Sequence, residues 1–358
     1  MNFKKDVITE YNFNDLFNNI IKKKTILIFE SRIFHNECTP GYAKYFIDLG
    51  YKVDVLMRYS GVDSFAYFNE KDKIKIFAYN NITQIIKRKK KLSFIMKKYD
   101  FVLYETFYGL EMGLFKNLAY NHNSIFVFHE FNFFEKHFSK NKYFKKYRVW
   151  TLGNITRGLQ VNPHYFGNIK IKEKKNIKTT FFLTSTVRRN YKALIKSVHR
   201  LQKEKFNFQV VVTGRSSTFN SSSISKNINN KFIFKYNASY SELYKLVNSS
   251  DYIIILLDPN IETDKLFKTK KVSGSYQLSL GFAKPCLINN EYAKFYGFNN
   301  ENSLIYINSN LYSAMKKAII IKDKKYKEIQ RNLIIKKNEL YNISINNIRK
   351  VINNINKK

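Results

Sequence analysis

Short apolar runs alternate with amphipathic stretches along nearly the whole chain, the pattern of strands buried on both faces with helices packed against them. In the first half, Thr25–Glu30, Lys52–Met57, Lys73–Tyr79, Tyr99–Tyr104, Ser124–Phe128 and Arg148–Leu152 read as strands. A turn at Cys38-Thr39-Pro40-Gly41 leads into a helix through Tyr42, Phe46 and Leu49 that Gly50 ends. A basic helical stretch spans Ile82 to Lys98. The pattern stops in the polar, Lys-rich stretch 168–178, as at an interdomain linker, and then restarts. Thr179–Leu183, Phe208–Val212, Lys231–Lys235, Tyr252–Leu257 and Pro285–Ile288 read as the second set of strands, with helices over Asn190–Lys203, Ser241–Asn248 and Tyr276–Phe282. A Ser/Asn-rich loop occupies 216–230, and a charged helical tail runs from Lys324 to Lys358. Strands alternating with helices predict an α/β fold of two consecutive Rossmann-like halves, residues 1–168 and 178–323, followed by the tail 324–358.

The length of 358 residues fits two domains at about 150 residues each. With 44% apolar and 25% charged residues, packed cores are possible and a collagen-like or wholly disordered chain is excluded. The apolar run Ile253–Leu257 is strand-sized, far below the roughly 18 residues that cross a bilayer. The start Met1-Asn2-Phe3-Lys4-Lys5-Asp6 lacks the apolar core of a signal peptide, and two cysteines make no disulfide framework. These features predict a soluble cytoplasmic protein. The net charge of +36 points to an anionic partner, nucleic acid or a membrane surface among them. Only 11 of the 63 cationic residues are Arg, however, and Asn, Ile, Tyr and Phe are also plentiful, as an A+T-rich genome would produce. Arg is the usual choice for bidentate base and phosphate contacts, so the charge does not identify the partner.

Ligands of doubly wound sheets lie at the carboxyl ends of the strands, and four segments carry suitable groups there. Thr184–Lys192 joins a strand to a helix. Arg188, Arg189 and, one turn on, Lys192 stand at a helix start, where free N–H groups and the positive dipole end suit a diphosphate without a metal. The other reading is a solvated basic helix start, weakened by the scarcity of Arg. Ser273-Gly274-Ser275 precedes the next helix and can either cap it or admit a ligand's oxygens to the backbone. His129, directly after a strand, can bond a substrate hydroxyl or move a proton, or be a satisfied structural histidine. His35, Glu37 and Gly41 lie after the first strand, with Glu37 a potential base and Gly41 a point of close approach, or else form a simple turn. The chain has no G-x-G-x-x-G, no P-loop, no G-x-S-x-G elbow and no His/Cys spacing for zinc. The stretch from Ile85 to Lys98 suits either an anionic membrane surface or a half-buried helix with a solvated basic face.

In succession these segments resemble the GT-B glycosyltransferases, specifically the group 1 (GT4-like) type. Phe128-His129-Glu130 resembles that family's first-domain His-Asp element, with Glu130 for Asp, and Pro40-Gly41 its first-domain glycine loop. Arg188-Arg189-Asn190-Tyr191-Lys192 resembles the Arg-Lys-Asn stretch that holds the donor diphosphate. Val211-Val212-Thr213-Gly214 resembles the following strand and glycine, and Tyr240–Tyr252 the helix and strand beside the nucleotide. Ser273–Ser275 with Gly281–Pro285 resembles the loop, helix and Gly-x-Pro strand that close the donor site. The family's two acidic residues with seven residues between them fall at Lys270 and Leu278, with Gln277 and Ser275 the nearby polar groups.

The resemblance implies two Rossmann-like domains facing a central cleft, the acceptor on the first and a nucleotide-sugar donor on the second, with the tail returning to the first domain. It implies sugar transfer to a saccharide or lipid-linked acceptor in bacterial surface polysaccharide synthesis, without metal or other cofactor and without a specific nucleic-acid partner. His129, Arg189 and Lys192 would be catalytic. Arg188, Gly214, Ser273, Gly274 and Ser275 would bind the donor, and His35, Glu37 and Gly41 would lie on the acceptor side. The competing readings are a basic nucleic-acid-binding protein, an epimerase on the same fold, and a non-catalytic GT-B partner subunit.

Overall fold

The computed structural model describes residues 10–32, 34–106, 123–137, 148–153, 158–169, 174, 178–185, 189–214, 219–220, 222 and 224–356. It divides into two units, Met1–Asn168 with Ile343–Lys358, and Ile169–Asn342.

The first unit is built on an eight-stranded parallel sheet of β1 (Glu10–Asn12), β2 (Thr25–Phe29), β3 (Lys52–Arg58), β4 (Ile74–Tyr79), β5 (Phe101–Tyr104), β6 (Ser124–Val127), β7 (Val149–Thr151) and β8 (Leu159–Gln160). Its order is β1-β4-β3-β2-β5-β6-β7-β8. The reversal of direction between β2 and β5 makes their carboxyl ends a topological switch point. All five residues of the central β2 are buried, as its unbroken Thr-Ile-Leu-Ile-Phe run requires. Helices α1 (Thr39–Asp48), α2 (Ile82–Lys87), α3 (Lys89–Met96) and α4 (Phe131–His137) accompany the strands. Ile85, Leu92, Ile95 and Met96 of α2 and α3 pack with Leu27, Phe29 and Tyr104 into one core.

The second unit has a six-stranded parallel sheet of β9 (Thr179–Ser185), β10 (Phe208–Gly214), β11 (Phe232–Tyr236), β12 (Tyr252–Ile255), β13 (Cys286–Asn289) and β14 (Leu304–Tyr306), ordered β11-β10-β9-β12-β13-β14. Its helices include α5 (Tyr191–Lys203), α6 (Tyr240–Ser249), α7 (Gly274–Gly281), α8 (Leu311–Ile320) and α9 (Asp323–Asn356). In α5 the Asn190 side chain caps the helix by accepting from the Ala193 N–H at 3.0 Å. Leu194, Val198 and Leu201, at helical spacing, enter the core against β9 and β10. Lys174 is buried and donates to the carbonyls of Ala318 and Ile319 at 3.0 Å and of Ile321 at 2.9 Å, closing the end of α8.

Four local expectations change. Pro40 and Gly41 belong to the first turn of α1 rather than to a preceding turn, because proline fits a helix start whose N–H groups are unpartnered anyway. The basic stretch breaks at Arg88 (φ −113°, ψ 17°) into α2 and α3, where five consecutive cations repel one another without a neutralising acid. Ser273 is the capping position of α7 and Ser275 lies inside its first turn. The division between the units falls within α9: Gln330 donates to the Ala283 carbonyl (3.1 Å) and Lys337 to Gly281 (3.0 Å) in the second unit, while Ser344 accepts from the Asn162 N–H (2.9 Å) and Asn347 donates to the Gln160 carbonyl (2.9 Å) in the first.

Candidate functional sites in the two units

In the first unit, β2, β5 and β6 end together in polar residues. Glu30 follows β2, Glu105 and Thr106 follow β5, and His129 follows β6; both glutamates are fully buried. The Arg32 N–H donates to Glu30 Oε1 at 2.6 Å, and the Thr106 hydroxyl donates to Glu30 Oε2. His129 Nε2 lies 3.1 Å from the Glu105 carbonyl oxygen and 3.4 Å from Thr106 Oγ1. A carbonyl only accepts, so Nε2 carries the proton in neutral His129 and Nδ1 is left as the basic nitrogen. Burial, together with the neighbouring His35, pulls the imidazole pKa well below its usual value, against the raising effect of the Glu105 carbonyl. The ring therefore stays neutral through the physiological range, as a proton acceptor must.

His35 stacks on this ring at 4.0 Å between centroids and 19° between planes. Its backbone is left-handed (φ 71°), which turns the side chain over the strand ends. His35 Nδ1 stands 3.7 Å from Glu37 Oε1, so three of the expected first-half residues meet here. Glu105 is pushed well above the usual carboxylate range, first by burial and then by the charges of Glu30 and Glu37, partly offset by the Thr39 hydroxyl. Its main-chain carbonyl is the group that meets the His129 ring. Gly41 is not part of this arrangement. A Cβ there would stand 2.7 Å from the main-chain atoms of Pro163, so the glycine serves close packing inside the unit rather than a ligand.

In the second unit, β9 leads through Thr184 to Arg189, Asn190 and α5. Thr184 Oγ1 bonds Ser275 Oγ at 2.7 Å, tying the end of β9 to the first turn of α7. Gly274 at the start of α7 is exposed, and Ser273 N–H donates to the Tyr296 hydroxyl at 3.3 Å. Gly214 ends β10 with φ 123°, a conformation that only glycine adopts readily, and its carbonyl accepts from Asn237 N–H at 2.9 Å. Arg189 is an ion-paired cation. Its guanidinium, 13% exposed, bonds the fully buried Asp264 and lies 4.9 Å from the Phe267 ring centroid. Asp264 Oδ2 also accepts from the Asp258 N–H at 3.0 Å, and the Asn190 amide donates to Asp258. Burial raises the Asp264 pKa, with Arg189 the leading opposing influence.

Lys192 is exposed and takes no part in the Arg189–Asp264 ion pair. It lines a groove of about 550 Å³ with Asn190, Lys196, Arg200, Ser309 and Tyr312. In place of two free cations, the start of α5 therefore carries an ion-paired guanidinium and an exposed ammonium three residues on. Arg188 lies outside the described residues. Lys270 and Leu278 supply no acidic pair. The acidic residues between β12 and α7 that enter this network are Asp258 and Asp264, which sequence reasoning missed. Their signal was available: Asp258 directly follows the apolar run Tyr252–Leu257. Glu30 and Glu105 likewise terminate buried strand runs. Among the described residues, no three His, Cys, Asp or Glu side chains gather as a metal-ligating group.

Comparison with solved structures places this geometry in a known fold. The chain aligns with Anabaena Alr3699/HepE in complex with UDP and glucose at a TM-score of 0.54 and 11% identity, covering 94% of this chain and 100% of that one. The UDP-glucose complex of the same protein aligns at 0.53 and 11%, covering 93% and 100%. The glycosyltransferase VinC in complex with DTDP aligns at 0.46 and 10%, covering 92% and 100%. No family model and no curated protein sequence matches the chain. The fold is the GT-B fold, two Rossmann-like units each built on a parallel sheet.

Proposed function

We propose that the protein is a glycosyltransferase that moves a sugar from a nucleoside-diphosphate donor to a saccharide or lipid-linked acceptor, of the group 1 (GT4-like) type. The observation that carries this reading is the GT-B fold shared over nearly the whole chain with a protein solved in complex with UDP-glucose. The donor would lie at the carboxyl edge of the second sheet. The exposed Gly274 and the positive end of α7 would face the diphosphate, with the Ser273 N–H held by Tyr296 and the Ser275 hydroxyl by Thr184 to shape that turn, and Gly214 borders the same edge. Arg189 and Lys192, with Arg188, supply positive charge without a metal. Asp264 fixes the Arg189 guanidinium in place but neutralises much of its field, so Lys192 carries the larger share of the charge.

When the glycosidic C–O bond breaks, its electron pair goes to the terminal phosphate oxygen, and these donors and cations stabilise that developing charge. The incoming acceptor hydroxyl forms the new C–O bond and releases its proton to His129 Nδ1, with His35 and Glu37 at the acceptor side. The group 1 resemblance suggests a role in surface polysaccharide synthesis, and the Lys-, Asn- and Ile-rich composition adds only that the genome is A+T-rich. A thermal-shift series across nucleoside diphosphates and nucleotide sugars tests this: stabilisation by one nucleotide class, followed by sugar transfer with that donor, is expected. Absence of any nucleotide shift, with tight salt-sensitive RNA or DNA binding instead, would overturn it.

A further inference from the structure

The helix pair α2–α3 has two faces of opposite character. Ile85, Leu92, Ile95 and Met96 are buried in the core of the first unit, so the pair is fixed to the sheet rather than free to swing. The outer face carries five consecutive cations from Lys87 to Lys91, then Lys97 and Lys98, all exposed. No acidic residue occurs between Ile82 and Lys98, and none of these seven cations pairs with a carboxylate among the described residues. Within this field Phe94 is 65% exposed, with the Lys98 ammonium 5.1 Å from its ring centroid. Lys91 and Arg88 lie 5.0 and 5.7 Å from the half-buried Phe17 ring. An exposed aromatic ring on a helix whose flanking positions 90, 91, 97 and 98 are all unneutralised lysines matches an interface that is anionic at its surface and apolar just beneath.

We propose that α2–α3 is a docking platform for an anionic lipid bilayer, with Phe94 entering the headgroup boundary and the surrounding cations contacting lipid phosphates. The proposal is independent of the sugar-transfer reading, because it needs only charge and an inserted ring. An acidic protein partner would call for a shaped counter-surface. A single-stranded nucleic acid would be gripped by several stacked rings, whereas α2–α3 exposes one large aromatic ring, Phe94.

Co-sedimentation of the full chain with phosphatidylcholine vesicles, with and without phosphatidylglycerol, tests it. Binding should require phosphatidylglycerol and fall with salt. Each cation is worth about a fivefold change in partitioning onto an anionic surface, so the triple variant K90Q/K91Q/K97Q should bind about a hundredfold more weakly. F94S should weaken binding further while leaving the melting temperature unchanged, since the ring is exposed. The triple variant K203Q/K235Q/K245Q, which removes three exposed lysines of the second unit, controls for the chain's general basicity. An equal loss in that control, binding unaffected by F94S and by the α3 triple, or RNA binding through these residues without vesicle binding would each overturn the proposal.

Discussion

Replacing Arg189 by alanine separates two roles for this residue, a phosphate-facing cation and a structural counter-ion. Asp264 is fully buried, and its carboxylate has the guanidinium on one oxygen and a single backbone N–H on the other. Removing one partner of such a pair leaves an uncompensated buried charge at a cost of about 3–5 kcal/mol. For a unit of this size each kcal/mol lowers the melting temperature by about 2–4 °C, so Arg189→Ala should melt about 6–20 °C below the parent chain at pH 8. The penalty should be smallest in acid. Burial already raises the Asp264 pKa and Arg189 is the leading influence holding it down, so the variant raises it further. The folded variant then keeps a proton that the unfolded chain has lost, and its stability declines as pH climbs from the ordinary carboxylate range through that raised value.

Calorimetric scans at a series of pH values measure both effects. Arg189→Met combined with Asp264→Leu removes both charges and should recover most of the loss, because an apolar pair of similar volume avoids the desolvation cost altogether. Parent-like melting of Arg189→Ala at pH 8, or a loss that does not change with pH, would refute the counter-ion role. It would return Arg189 to the simpler role of a poised, free cation.

Three further outcomes follow from the packing. Gly41→Ala should destabilise the first unit by about 1–3 kcal/mol, although alanine is the better helix former, because its methyl group would overlap the Pro163 backbone at 2.7 Å; a raised melting temperature would contradict this. Lys174→Met should destabilise the second unit by about 1–3 kcal/mol, because three carbonyls at the end of α8, one of them buried, lose one charged donor; unchanged urea midpoints would show those carbonyls satisfied otherwise. His129 has a depressed pKa, so the unfolded chain takes up its proton first and stability falls as pH drops below the ordinary imidazole value of 6.5; His129→Gln should flatten that decline in urea titrations between about pH 5 and 7, and an identical acid sensitivity would refute it.

How far the residues announced this arrangement depends on what kind of information each element carries. Strands such as Thr25–Phe29 and helices such as Tyr191–Lys203 were legible because burial imposes a period, and a period survives in one dimension. The edge strands Glu10–Asn12 and Leu159–Gln160 were not, since two or three residues of mixed exposure contain no period. The candidate sites divide in the same way. His35, Glu37 and His129 could be placed at strand ends, and the fold stacks the two rings, because the end of a strand is a property of the strand. Nothing local marks Arg189 as the partner of Asp264, 75 positions later, or says that the gap beside Gly41 is filled by Pro163. The first pairing is a consequence of the sheet order, in which β12 lies beside β9. A strand order of that kind is chosen by the sum of all packing rather than by any one segment. The charge balance of the Arg189 guanidinium, set by a carboxylate from a distant strand end, could be read only after the chain had closed around it.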